Sequence, residues 1–178
     1  LESAGSENYV SADVLNPQVI LTNSTGAYGP AIAEHMLAGV LALYKKLMLY
    51  RENQKQRVWR SEGKVRSLSG SSVLVVGLGD IGREFSWRMK ALGCTVTGVK
   101  RTPGICPAYV DRLMLMDQIE QELPQADIVA LCLPSTPQTR HFFDERRLSL
   151  TRRDSVLINV GRGVTVDTAA CCALLDRG

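Results

Sequence analysis

Histidine and cysteine are scarce enough to remove several chemistries at once. The 178 residues hold two His and five Cys. The cysteines (Cys94, Cys106, Cys132, Cys171, Cys172) are odd in number and form no Cys-x-x-Cys. Neither a disulfide framework nor a zinc site is suggested, and reduced thiols in a cytoplasmic protein are expected. Excess charge is scarce too: 21 Lys+Arg against 18 Asp+Glu leave +3, too little to imply nucleic-acid binding. Long apolar runs are missing. The longest, residues 36–43, meets Tyr44, Lys45 and Lys46, far short of the roughly 20 apolar residues of a membrane span. Early Glu2 and Glu7 are unlike a signal peptide. What remains is 45% hydrophobic and 22% charged, with 15 Gly and 7 Pro, which excludes collagenous, low-complexity and charge-rich disordered classes. The length suits one domain, or one domain plus a fragment.

Along the chain, residues 1–26 are polar and turn-rich, with only Val19, Ile20 and Leu21 as an apolar run. A long helical pattern begins after Pro30: Ile32, Met36, Val40, Leu43, Leu47 and Tyr50 recur at three- and four-residue steps, with Pro30 suited to a first turn. Being apolar on several faces, it should pack at a hinge or a subunit interface. A polar linker (61–70) follows. Residues 73–76 (Val-Leu-Val-Val) then read as a strand buried on both faces. Further strands are expected at 94–99, weakly at 109–115, and at 127–131 and 155–159. Helices are expected at 80–92, 116–123, 144–150 and from Thr168. This alternation predicts βαβ units and an α/β, doubly wound parallel sheet.

Three loops at the expected carboxyl ends of strands carry the chemistry. Gly77-Leu78-Gly79-Asp80-Ile81-Gly82 is a G-x-G-x-x-G between a strand and a helix, the context in which the motif means dinucleotide binding. Gly77 permits the turn, Gly79 the approach of a pyrophosphate, and Gly82 close packing of helix on strand, while the helix N-terminus offers N–H donors to phosphates. Without a ligand, the same residues would simply make a glycine-rich turn. About 20 residues on, where an acidic residue would accept from a ribose 2′-hydroxyl, stand Lys100 and Arg101. They suit a 2′-phosphate, so NADP is expected over NAD; two solvated cations beside an NAD site are the alternative. The second loop is 131–137 (Leu-Cys-Leu-Pro-Ser-Thr-Pro). The third is Asn159-Val160-Gly161-Arg162-Gly163. In open α/β sheets ligands bind in the crevice outside these strand ends. Arg162 is placed there to hold a carboxylate or polarise a carbonyl, or else to bridge loop carbonyls.

In order and spacing these pieces resemble the D-isomer-specific 2-hydroxyacid dehydrogenases. The matching residues are Ser3-Ala4-Gly5, Ala33-Glu34-His35, the fingerprint at 75–82, Ala126-Asp127-Ile128-Val129, the 133–137 loop with Thr139 and Arg140, and the 159–163 loop. The resemblance implies a substrate domain and an inserted cofactor domain, with hydride transfer between a nicotinamide and a 2-oxo or D-2-hydroxy acid in the cleft. It implies that Arg162 binds substrate carboxylate and carbonyl, and that Ala4, Gly5 and Ser6 offer backbone N–H groups to that carboxylate. Leu133, Pro134 and Thr139 would line the adenine and ribose side, Val160 and Gly161 the nicotinamide. The chain would then comprise a substrate-domain remnant (1–26), a hinge and dimer helix (27–60) with an exposed stripe of Val40, Leu43, Leu47 and Tyr50, and a dinucleotide-binding Rossmann domain (61–178) expected to be incomplete at its C-terminal end. A homodimer is expected, acting on a small 2-oxo acid of the glyoxylate or hydroxypyruvate class, with no nucleic acid or membrane partner. The family's acid/base histidine and its carboxylate lie downstream of the Arg motif, and neither His35 nor His141 stands in their place, so the chain is expected to be a fragment inactive alone. A non-catalytic nucleotide sensor, like the family's corepressor relatives, is the alternative.

Overall fold

A computed structural model describes Tyr9, Leu15, Asn16 and residues 18–177. Ala4, Gly5 and Ser6 lie outside the described residues. Five parallel strands, β1 (Ser72–Val76), β2 (Thr95–Lys100), β3 (Arg112–Leu115), β4 (Ile128–Leu131) and β5 (Val156–Asn159), form one sheet in the order β3-β2-β1-β4-β5. The chain leaves β1 in opposite directions to β2 and β4, so the topological switch point falls between β1 and β4.

The period of two along each strand sorts side chains onto two cores. Val73, Val75, Ile128 and Ala130 face α1 (Gly29–Tyr44) and α3 (Asp80–Ala91), with Phe85 and Met89 fully buried among them. Leu74, Val76, Val129 and Leu131 face the opposite layer, which holds Ile119, Leu123, Phe143 and Leu148. That layer includes α4 (Glu145–Leu150) and α5 (Thr168–Arg177). Asp144 caps α4, its carboxylate accepting from the Arg147 N–H at 3.0 Å.

Three local expectations are corrected. The long helix is not continuous: α1 ends at Tyr44, and α2 (Leu47–Lys55) restarts after Lys46, which adopts the left-handed region at φ 55°. The break is held from outside the helix, since Lys45 Nζ donates to the Arg66 carbonyl at 2.6 Å and Lys46 Nζ donates to the Glu62 carbonyl. Val40 is not part of an exposed stripe. Ala33, Met36, Val40 and Tyr44 form the face that α1 buries on the core, leaving Leu43, Leu47 and Tyr50 exposed together with Met48 and Leu49. Finally, residues 116–121 form a 3₁₀ helix (Met116–Gln121), followed by a second (Leu123–Gln125) with Pro124 in its first turn.

Among the described residues, no helix is long and apolar enough to cross a membrane and no group of three or more His, Cys, Asp or Glu could hold a metal.

Candidate functional site

The register of the sheet aligns the three loops. Val76 pairs with Leu131, and Leu131 with Asn159, so β1, β4 and β5 end level. The ladder runs one residue further, with Cys132 N–H donating to Val76 O at 2.8 Å and Val160 N–H to Leu131 O at 3.1 Å. Beyond that level the loops open around a cavity of about 250 Å³ lined by Gly79, Asp80, Ile81, Cys132, Leu133, Pro134, Val160, Gly161 and Arg162, with Thr25 and Tyr28 completing the rim. A larger hollow of about 770 Å³ lies along α2 and residues 57–61. No strand end or glycine loop reaches it, so it is not the candidate site.

Glycine is required where these loops touch. Gly77 sits at φ 98°, and a Cβ there would lie 2.6 Å from the Cys132 carbonyl oxygen. A Cβ on Gly82 would lie 1.9 Å from the Gly77 carbonyl oxygen, and one on Gly161 would lie 2.3 Å from the Leu133 carbonyl oxygen. The loops after β1, β4 and β5 are thus packed backbone to backbone. Gly79 differs: a Cβ there would meet nothing within 4 Å. Its backbone, at the N-cap of α3, faces open crevice, so a pyrophosphate can approach the N-terminal N–H groups of α3. The cradle fits a dinucleotide.

The remaining site residues fall into place as follows. Arg162 is exposed at the rim, and its Nη1 donates to the Gly161 carbonyl at 3.0 Å. Asn159 shapes that loop from both sides, accepting from Gly161 N–H and donating to Arg162 O. Thr139 is buried, and its hydroxyl donates to Pro134 O at 2.7 Å while accepting from Thr136 N–H at 2.8 Å. It therefore braces the 134–139 loop from behind the cavity lining. Lys100 ends β2 and Arg101 follows it, exposed, neither among the residues around the 250 Å³ cavity. Burial pushes the Cys132 thiol up to about 12, so it is an inert thiol in the wall rather than a nucleophile. His35 and His141 are both exposed and stand outside the lining. Sequence reasoning missed Thr25 and Tyr28, which come from the segment before α1. It also missed the direction of the Asp80 carboxylate, which accepts from Gly26 N–H at 3.1 Å.

A parallel doubly wound sheet with a glycine fingerprint at its switch point defines a Rossmann-type dinucleotide-binding domain. The NAD binding domain model of the D-isomer specific 2-hydroxyacid dehydrogenases matches residues 37–178, and the chain belongs to that family. The D-3-phosphoglycerate dehydrogenase of Methanocaldococcus jannaschii is 30% identical over 164 residues, covering 90% of this chain and 31% of its own length. A D-isomer specific 2-hydroxyacid dehydrogenase family protein from Aeromonas salmonicida superposes with a TM-score of 0.91 at 33% identity, over 99% of this chain and 56% of that one. A D-isomer specific 2-hydroxyacid dehydrogenase from Xanthobacter autotrophicus Py2, solved in complex with NADPH and MES, gives a TM-score of 0.84 at 30% identity, over 98% and 72%. The chain therefore spans about a third of the first and just over half of the second.

Proposed function

We propose that this chain is the cofactor-binding part of an NADP(H)-dependent reductase of small 2-oxo acids, of the glyoxylate or hydroxypyruvate class. The observation that carries the reading is the convergence of the Gly77–Gly82, Leu133–Pro134 and Val160–Arg162 loops on one crevice with Arg162 at its rim. Residues 1–26 would belong to a substrate domain, with Ala4, Gly5 and Ser6 offering N–H groups to the substrate, and residues 27–60 to a hinge. When bound, the nicotinamide supplies or accepts hydride. The Arg162 guanidinium holds the substrate carboxylate and stabilises charge developing on the 2-oxo oxygen. Val160 and Gly161 would flank the nicotinamide, and Leu133 and Pro134, braced by Thr139, would line the adenine and ribose side. The proton donor is assigned to neither His35 nor His141.

Lys100 and Arg101 at the end of β2 support the choice of NADP, as does the NADPH complex of the Xanthobacter relative. Replacing both with Gln should weaken NADPH binding by about 10- to 100-fold, the loss of one or two charge-assisted hydrogen bonds, and leave NADH within about twofold. Titration by isothermal calorimetry reads this directly. Equal losses for both cofactors would remove the 2′-phosphate reading.

The exposed apolar side chains Leu43, Leu47, Met48 and Leu49 support a homodimer through α1 and α2, because a contiguous apolar patch is normally covered. Sedimentation equilibrium at micromolar concentration should give twice the chain mass; a monomer there would count against the dimer.

A further inference from the structure

Asp80 opens α3 inside the glycine fingerprint and lines the cavity where a pyrophosphate would approach, yet its carboxylate is taken up by neighbours on the α1 side. Oδ2 accepts from Gly26 N–H at 3.1 Å, and Oδ1 has Arg83 Nη2 at 3.4 Å. The whole carboxylate lies against buried Gly29, the first residue of α1: a Cβ on Gly29 would come within 2.7 Å of Oδ2 and 2.8 Å of both Cγ and Oδ1. One carboxylate is thereby shared between the amino ends of two helices, α1 and α3, where negative charge is favoured. The segment it grips carries Thr25 and Tyr28, the two rim residues of the cavity that belong to neither the sheet nor its loops. A second tie, Arg88 to Glu34 at 3.2 Å, holds the same two helices farther along.

We propose that Asp80 is a positioning residue, a clasp that fixes residues 25–29 against the fingerprint loop and so supplies the dinucleotide crevice with its fourth wall. A carboxylate beside a pyrophosphate would otherwise repel it. Turning that carboxylate onto Gly26 and the α1 N-terminus directs its charge away from the ligand and uses it to hold the wall. The absence of a side chain on Gly29 makes room for it. The effect on cofactor binding rests on the proposed function; the clasp itself does not.

The test compares Asp80→Asn, Asp80→Ala and Gly29→Ala with the unaltered chain by two readouts: amide exchange at Gly26 by NMR, and NADPH affinity by calorimetry. Asn keeps an oxygen acceptor for Gly26, so Asp80→Asn should hold exchange and affinity within about twofold. Asp80→Ala should speed Gly26 exchange and weaken NADPH about tenfold each, the value of a hydrogen bond to a charged group. Gly29→Ala, which drives a methyl into the carboxylate while leaving its charge in place, should reproduce both losses. Unchanged Gly26 exchange in Asp80→Ala overturns the clasp, and so does equal weakening by Asn and Ala, which would mean that charge rather than the hydrogen bond matters. If the unaltered chain binds neither NADPH nor NADH, the proposed function fails, and the clasp stands or falls on Gly26 exchange alone.

Discussion

Asp127→Ala should destabilise the fold by about 3 kcal/mol, a drop of roughly 6–12 °C in Tm for a chain of this size. Asp127 sits immediately before β4, at the amino ends of the strands. Oδ2 accepts from the Ser72 N–H at 2.8 Å and from its hydroxyl at 3.0 Å, while Oδ1 takes Arg66 at 2.9 Å and Arg152 at 2.8 Å. Its backbone bonds Ser72 on one side and Val156 on the other. One side chain thus ties β1 to the linker and to the turn before β5. Truncation leaves the Ser72 N–H without its acceptor and the two guanidiniums with only their Asp154 contacts, and that remaining partner and partial exposure of the arginines keep the cost at the low end of that for a broken buried pair. Burial by itself would raise the Asp127 carboxyl, but the Ser72 hydrogen bonds and the Arg152 and Arg66 charges outweigh it and hold it below the usual carboxylate range. A depressed folded value stabilises the fold above the unfolded value near pH 4 and loses that contribution as pH falls through the folded one. The difference between wild type and Asp127→Ala should therefore be full at pH 7 and shrink in acid, as urea unfolding at several pH values would read. A gap that does not change with pH would contradict the role assigned to the carboxylate. The site lies at the opposite end of the sheet from the crevice, so cofactor affinity of the folded fraction should not change.

Gly82→Ala should do both kinds of damage. Its methyl would fall 1.9 Å from the Gly77 carbonyl oxygen and 3.3 Å from Val75 Cγ1. The nearest obstacle is backbone, so no rotamer change relieves it. Either α3 moves away from β1 or the Gly77 turn rearranges. Overpacking of this kind costs about 1–3 kcal/mol or more, and both responses displace the N–H groups at the start of α3 from a pyrophosphate. We expect a Tm lower by roughly 5 °C or more and NADPH binding weakened at least 100-fold, about 3 kcal/mol. Gly79→Ala is the contrast. It meets nothing within 4 Å in the ligand-free crevice, so it should leave Tm nearly unchanged and lower affinity only. If Gly82→Ala bound NADPH like wild type, the fingerprint would be a turn and not a cradle.

How far the sequence speaks depends on whether the cause is local. The run Val73-Leu74-Val75-Val76 followed by glycine specifies a buried strand and a tight turn within ten residues, and both are found. That the three loops share one crevice was legible because parallel strands place their carboxyl ends together whatever their order in the chain. The break at Lys46 was not legible: helical periodicity continues across it, and the left-handed lysine is held by Glu62 and its neighbour by Arg66, contacts made across the linker. The burial of Val40 is not readable from the sequence, because three- and four-residue spacing shows that a helix has apolar faces without showing which one its own chain covers. Thr25 and Tyr28 escaped for the same reason as the Asp80 clasp. Gly26 and Asp80 are 54 residues apart, and nothing in either motif announces the other.

Amide exchange and calorimetry on the unaltered chain, with NADPH and NADH titrated in parallel, bear at once on the proposal that the crevice outside β1, β4 and β5 takes a dinucleotide and prefers NADPH. We expect tighter binding of NADPH than of NADH, with new protection at residues 77–82, 133–134 and 160–162 and little change at the amino ends of the strands around Ser72 and Asp127. NADPH binding that leaves those three loops unprotected, or no binding of either cofactor, would overturn that proposal.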